Sequence, residues 1–130
     1  MYLLDTNICI ALLKGADAAL REKITKRDAG EFRLCSIVKA ELLFGARKSH
    51  AVQANLRHLE IFFSQFHSLD FDNAAAERYG HIRAYLAAKG TPIGPNDTLI
   101  AAIAEAHDLV LVTRNSDEFT RVPGLRLESW

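Results

Sequence analysis

Cysteine is nearly absent from this chain: there are two, Cys9 and Cys35, in 130 residues. Each stands inside an apolar stretch, so reduced core thiols are expected and a disulfide framework is excluded. Proline is scarce too, at three. No linker, repeat or low-complexity tract divides the sequence, so a single domain over 1–130 with one core is expected. No run of about 18 uncharged apolar residues occurs, which leaves no readable membrane span. The start, Met1-Tyr2-Leu3-Leu4-Asp5, lacks the basic region of a signal peptide, and a cytoplasmic location is the expectation. A Gly-rich phosphate loop and a G-x-S-x-G elbow are both missing. The five histidines (His50, His58, His67, His81 and His107) lack metal-ligand spacing, and His107 is expected to face the core or to close its helix.

Net charge is zero as well, with 16 bases against 16 acids, but the charge is not evenly spread. Residues 14–58 hold ten Lys and Arg and five Asp and Glu, and the remainder holds six and eleven. Scattered charges on solvated helix faces would account for this. A basic surface beside an acidic site, as an enzyme acting on a polyanion needs, would account for it equally.

What is present alternates between strand and helix signals. Residues 2–4 form an apolar run read as a buried strand. Asp5-Thr6 can cap a helix to about Leu13, which Gly15 ends. A polar helix is expected over 16–29, closed by Gly30, and a strand over Phe32–Cys35. Ser36 is expected to cap a helix to about Arg47. Val52, Leu56, Leu59, Phe63 and Phe66 give a helix over 50–66, and Ser68–Phe71 is a strand candidate. Asn73 is expected to cap a helix over 74–88. The glycines and prolines of 90–96 mark a loop, and the nearly all-apolar helix at about 97–107 should be buried. A strand over Leu109–Val112, a turn at 114–117 and a last strand near Leu125–Leu127 complete the pattern. Such alternation argues for a parallel α/β sheet covered on both faces.

In open parallel sheets, ligands bind beyond the carboxyl ends of the strands, and that rule singles out Asp5. Glu41 is odder, because Ile37, Ala40, Phe44 and Gly45 surround its direction on the helix. A carboxylate in an apolar arc needs a cation, a donor or a metal; an ion pair with Lys48 is the plain alternative. Asp97 opens the most apolar helix, where it or Asn96 could serve as a cap. Asp117 and Asn115 occupy the turn after the fourth strand. Carboxylates converging at one end of a sheet repel one another without a counter-ion, and hard oxygen ligands select Mg²⁺ or Mn²⁺. Clusters of this kind handle phosphate esters.

The motifs together resemble a known family. Met1-Tyr2-Leu3-Leu4-Asp5-Thr6-Asn7, Ser36 with Glu41, Gly94-Pro95-Asn96-Asp97-Thr98 and Leu111-Val112-Thr113-Arg114-Asn115 resemble PIN-domain ribonucleases, in particular the VapC-type toxins of type II toxin–antitoxin systems. Arg121-Val122-Pro123-Gly124-Leu125, with Glu128 and Trp130, extends the likeness over the whole chain. The resemblance implies a PIN-like, Rossmann-like three-layer α/β fold: a central parallel sheet of four to five strands flanked by helices. It implies Mg²⁺-dependent cleavage of RNA such as tRNA, with Mn²⁺ as an alternative ion. Asp5, Glu41 and Asp97 match the family's metal-binding acids, with Asn7, Ser36, Thr113 and Asn115 as supporting polar groups. Asn115 stands where many PIN domains carry Asp, so the fourth acid position stays open between Asn115 and Asp117. Lys39, Arg47 and Lys48 are candidates for the RNA backbone. The family pattern further implies a homodimer and a cognate antitoxin, with operator DNA bound only through the antitoxin complex. Leu43 and the apolar surplus of helix 50–66 are candidates for the intersubunit patch. Two other readings remain open at this point: a non-enzymatic binding module whose acids are helix caps, and a metal-dependent phosphatase acting on small molecules.

Overall fold

A computed structural model describes residues 1–130. Five short parallel strands form one sheet in the order β3-β2-β1-β4-β5. They are β1 (Tyr2–Leu4), β2 (Phe32–Cys35), β3 (His67–Leu69), β4 (Val110–Val112) and β5 (Leu127–Glu128). Seven helices connect them: α1 (Thr6–Lys14), α2 (Ala18–Thr25), α3 (Ser36–Arg47), α4 (Val52–Ser64), α5 (Asn73–Lys89), α6 (Pro95–Ala106) and α7 (Ser116–Phe119). None is long and apolar enough to cross a membrane.

The chain builds outward from β1 in one direction through β2 and β3. It then returns over α5 and α6 to lay β4 on the other side of β1. The direction reverses between β1 and β4, and the crevice beyond the carboxyl ends of those two strands is where an open α/β sheet takes its ligand. Both strands are dictated by burial. Leu3, Leu4, Leu111 and Val112 are fully buried, as central strands covered on both faces require. Register pairs Leu3 with Leu111 and Leu4 with Val112. The ladder runs one rung further, for the Asp5 N–H donates to the Val112 carbonyl at 3.0 Å and the Thr113 N–H to the Glu128 carbonyl at 3.0 Å. Asp5 and Thr113 are therefore mounted on the last fixed rungs of the two switch-point strands.

Helix α6 forms the densest part of the core. Thr98 and Ile100 to Ala104 are buried, and α5 packs along it through Ala75, Ile82 and Leu86. Glycines in the left-handed conformation close α1 at Gly15 and α5 at Gly90, each with φ of 69°, a backbone that a Cβ would strain.

Several local expectations are corrected. The helix foreseen over 16–29 stops at Thr25, because Asp28 and Glu31 form a reciprocal capping box that starts a 3₁₀ turn over Ala29–Glu31. Gly30 lies inside that turn and closes nothing. Ser36 is the first helical residue of α3 and makes no cap, since the preceding Cys35 holds the cap position without a side-chain bond. Asp72, not Asn73, caps α5 by accepting the Ala75 N–H at 2.9 Å. Residues 116–119 are a helical turn. Phe44, expected in the apolar arc of α3, is 64% exposed, and Leu43 and Ile61 are exposed with it. His107 closes α6 and faces Asp72 at 3.4 Å.

Cys9 and Cys35 are free and fully buried. Burial first, then the nearby Asp5 carboxylate, pushes the Cys9 thiol upward; burial pushes Cys35 up to about 11. A thiol without access to water or to its thiolate does not react. Ellman's reagent at pH 8 should therefore titrate neither cysteine in the folded protein and both in denaturant. One fast-reacting thiol in the folded state would contradict this packing.

Candidate active site

The crevice between β1 and β4 gathers carboxylates from four distant parts of the chain. Asp5 follows β1 and is 4% exposed. Its Oδ1 accepts the Thr6 N–H at 2.8 Å, and its Oδ2 accepts the Thr113 hydroxyl at 2.7 Å. Asp5 is the N-cap of α1, as expected, through the bond from the Thr6 N–H, and its second oxygen goes to Thr113, just past β4. Burial raises its pKa most, the two hydrogen bonds oppose that rise, and the Glu41 charge adds to it.

Glu41 reaches the same place from the middle of α3. Its Oε1 accepts the Thr6 hydroxyl at 2.8 Å. It forms no ion pair with Lys48, whose ammonium lies 5.0 Å over the Phe44 ring. Asp97 enters from the third position of α6, whose start is made by Gly94 and Pro95 with no side-chain cap. Neither Asp97 nor Asn96 caps the helix. Its N-terminal dipole still favours an anion there.

The fourth carboxylate is Glu118. The Asn115 amide donates to Asp97 Oδ2 at 3.2 Å and to Glu118 Oε2 at 3.3 Å, while the Asn115 N–H donates to the Thr113 hydroxyl at 2.9 Å. Asp117 is exposed and takes part in none of these contacts. The single turn of α7 carries the next residue inward in its place. Burial, then the Glu118 carboxylate, then the Asp5 charge push Asp97 up to about 7, with Glu41 adding. Glu118 is held below its ordinary range by its hydrogen bond to the Asp97 carboxyl and by the Asn115 amide.

One unbroken line of hydrogen bonds thus runs from Glu41 through Thr6, Asp5, Thr113 and Asn115 to Asp97 and Glu118. The donor set is oxygen throughout, without imidazole or thiolate. Neighbouring negative charge adds to the proton affinity of Asp5 and of Asp97, as carboxylates crowded together do. Each carboxylate is turned toward its protein donor, and no three acidic, His or Cys side chains stand around one point as ion ligands would.

The other candidates lie differently. Asn7 is exposed on α1 and makes no side-chain bond; Thr6, one residue earlier, supplies the contact expected of it. Ser36 is half-buried at the start of α3. The Lys39 ammonium lies 4.9 Å over the Phe63 ring, and Arg47 is exposed at the far end of α3. No base pairs with a pocket carboxylate. Thr6 and Glu118 were not singled out from the sequence. The helix-opening Thr beside Asp5 was a visible signal for the first, whereas α7 is too short to show periodicity for the second.

A PIN-domain family model matches residues 2–125. A curated relative from Salmonella typhimurium, "tRNA(fMet)-specific endonuclease VapC", is 45% identical over 99% of this chain and 97% of its own length. "Ribonuclease VapC2" of Haemophilus influenzae is 40% identical over 99% of this chain and 97% of its own. Among solved structures, DNA-bound VapBC from Salmonella typhimurium superposes with a TM-score of 0.94 at 44% identity, covering 99% of this chain and 97% of that one.

Proposed function

The chain belongs to the PIN-domain family, among the VapC ribonucleases, and from that premise and its acidic pocket we infer that it is a metal-dependent endoribonuclease and the toxin of a toxin–antitoxin pair. The observation that carries the reading is the wired group of Asp5, Glu41, Asp97 and Glu118 at the switch point of the sheet. Adjoining acids repel one another, and a bound cation would relieve that repulsion directly.

Asp5 and Asp97 would hold the ion, with Glu41 and Glu118 beside them, and hard oxygen donors suit Mg²⁺, with Mn²⁺ as a substitute. When bound, the ion supplies Lewis-acid activation of water and neutralises charge at the scissile phosphate. The protein's own side chains do the rest. Thr113 fixes the orientation of Asp5, and Asn115 fixes Asp97 and Glu118. Thr6 occupies Glu41 Oε1 and leaves Oε2 to take the proton of the attacking water. With water attacking the phosphorus in place of the 2′-hydroxyl, and the P–O3′ bond breaking so that O3′ leaves and takes up a proton, the products would carry 5′-phosphate and 3′-hydroxyl ends. Bases from the positively charged stretch 14–58 hold the RNA by its phosphates.

Relatives named as tRNA(fMet)-specific endonucleases at 44% and 45% identity make initiator tRNA the first substrate to try. The solved VapBC complexes, which are DNA-bound, support a cognate antitoxin and an assembly that binds DNA; in this reading the antitoxin covers the pocket and makes the DNA contacts, and the toxin is a homodimer.

Incubation with total RNA, followed by sequencing of new 5′ ends, tests this. Discrete 5′-phosphorylated fragments are expected with Mg²⁺, none with EDTA, and recovery when Mg²⁺ is restored in excess. Cleavage that persists in EDTA overturns the metal-dependent reading. Turnover of simple phosphate monoesters with RNA left intact would favour a phosphatase instead.

A further inference from the structure

Between the two site residues that follow β4 sits one whose side chain bonds none of the pocket acids. Thr113 bonds Asp5 and Asn115 bonds Asp97 and Glu118, while the Arg114 guanidinium takes partners outside that group. Its Nε donates to the Trp130 main-chain oxygen at 2.8 Å, and its Nη2 pairs with Asp17 Oδ2. Both partners are themselves anchored. Asp17 caps α2 by accepting the Leu20 N–H at 3.0 Å through its other oxygen. The Trp130 indole lies 5.1 Å from the Tyr2 ring and edge-on to Phe32 at 5.9 Å. The Arg27 guanidinium stacks 4.5 Å over it, and its Nε1 donates to Glu128 Oε1 at 3.2 Å. Two fixed points on separate elements thus grip the middle of a three-residue turn whose flanking side chains organise the acids.

We propose that Arg114 is a positioning residue: its guanidinium, held between Asp17 and the Trp130 main chain, sets the turn that aims Thr113 at Asp5 and Asn115 at Asp97 and Glu118. The planar fork suits this task, since it directs two donors along fixed, divergent lines, whereas a lysine ammonium offers one centre. The competing role for an arginine this close to the site is a direct phosphate contact. With Nε and Nη2 both committed to protein oxygens, the bracing role is favoured. The kinetic part of the proposal rests on the ribonuclease reading; the structural part stands without it.

The test compares Arg114→Ala, Arg114→Lys, Trp130→Ala and the Arg114→Ala/Trp130→Ala pair on a cleaved RNA, with Arg126→Ala as control. Arg126 pairs with Asp108 at 2.8 Å before β4, at the other end of that strand. Small misplacements of catalytic groups cost up to about a hundredfold. Arg114→Ala, Arg114→Lys and Trp130→Ala should each lower kcat by about tenfold with KM and salt dependence unchanged. The double variant should be no slower than the slower single, as one shared device requires, and the control should match the parent. In metal-free protein, Trp130→Ala should also move the Asn115 side-chain amide signal in a ¹⁵N spectrum. If kcat holds while KM rises, the salt slope falls by about one and lysine restores activity, Arg114 is a phosphate contact and the proposal is overturned. An unchanged kcat in Arg114→Ala overturns it as well. Should the parent cleave no RNA, the ribonuclease reading fails and the Asn115 signal alone decides the structural part: a shifted resonance supports the brace and an unmoved one refutes it. If Trp130→Ala does not fold, Asp17→Asn replaces it, for asparagine keeps one oxygen for the cap and puts an amide NH2, which cannot accept from Arg114, in place of the other.

Discussion

Asp5→Asn is expected to slow RNA cleavage on the order of 10³-fold while leaving the metal-free protein at least as stable as the parent. The rate falls because a buried, centrally placed carboxylate that would ligate the ion becomes a neutral amide, and preorganised charge at such sites carries losses of this size. Stability is retained for a different reason. Asparagine keeps the shape of Asp5, can still accept the Thr6 N–H, and can donate to the Thr113 hydroxyl. It also removes a desolvated charge that the Glu41 carboxylate opposes. Buried charges of that kind are weak contributors to stability, and replacing one with a neutral isostere can be neutral or favourable. Cleavage assays and thermal melts in EDTA check the two halves separately. A variant that cleaves within tenfold of the parent would remove Asp5 from the reaction. One that is inactive because it has unfolded would show that the carboxylate holds β1 to β4.

The second large effect separates neighbours. Glu118→Gln should lower cleavage at limiting Mg²⁺ by about 10- to 100-fold, the range found when groups supporting a metal site are removed, and should raise the Mg²⁺ concentration needed for half-maximal rate. Asp117→Asn should stay within about twofold of the parent, as exposed substitutions away from a site do. The basis is the Asn115 amide, which holds Asp97 and Glu118 together and leaves Asp117 aside. A titration of rate against Mg²⁺ for both variants decides the matter. The reverse ranking would mean that α7 turns by one residue when the ion binds, and the assignment would pass to Asp117.

The contrast between these two residues shows where sequence reading reaches its limit. Strand ends were legible, because β1 and β4 announce themselves as short buried runs, and the rule for open sheets then points at Asp5 and at the turn holding Asn115 and Asp117; Thr113 entered only through the family resemblance. Glu41 was legible because a carboxylate among apolar helix positions is costly. Asp97 stood out at the start of the most apolar helix. A four-residue helix carries no periodic signal, however, so whether residue 117 or 118 faces inward depended on a turn the sequence did not disclose. Cap positions slipped by one residue at Asp72 and Asn73 for a related reason: both residue types cap well, and only the chain direction entering α5 chooses between them. The break after Thr25 was readable in hindsight from the Asp28–Glu31 spacing. The exposure of Phe44 was not, since an apolar arc wider than its contact surface does not reveal which edge is left uncovered.

The central position of β1 has a bearing on when this activity can first exist. Residues 2–4 are made well before residues 110–112, which form one of their two neighbouring strands, and Thr113, Asn115 and Glu118 follow that strand. Until that last stretch is synthesised, the innermost strand has an open edge and the pocket lacks one wall. A partly made chain that lacks residues 110–118 therefore has no assembled acidic pocket, and the pocket forms only once that stretch has joined β1.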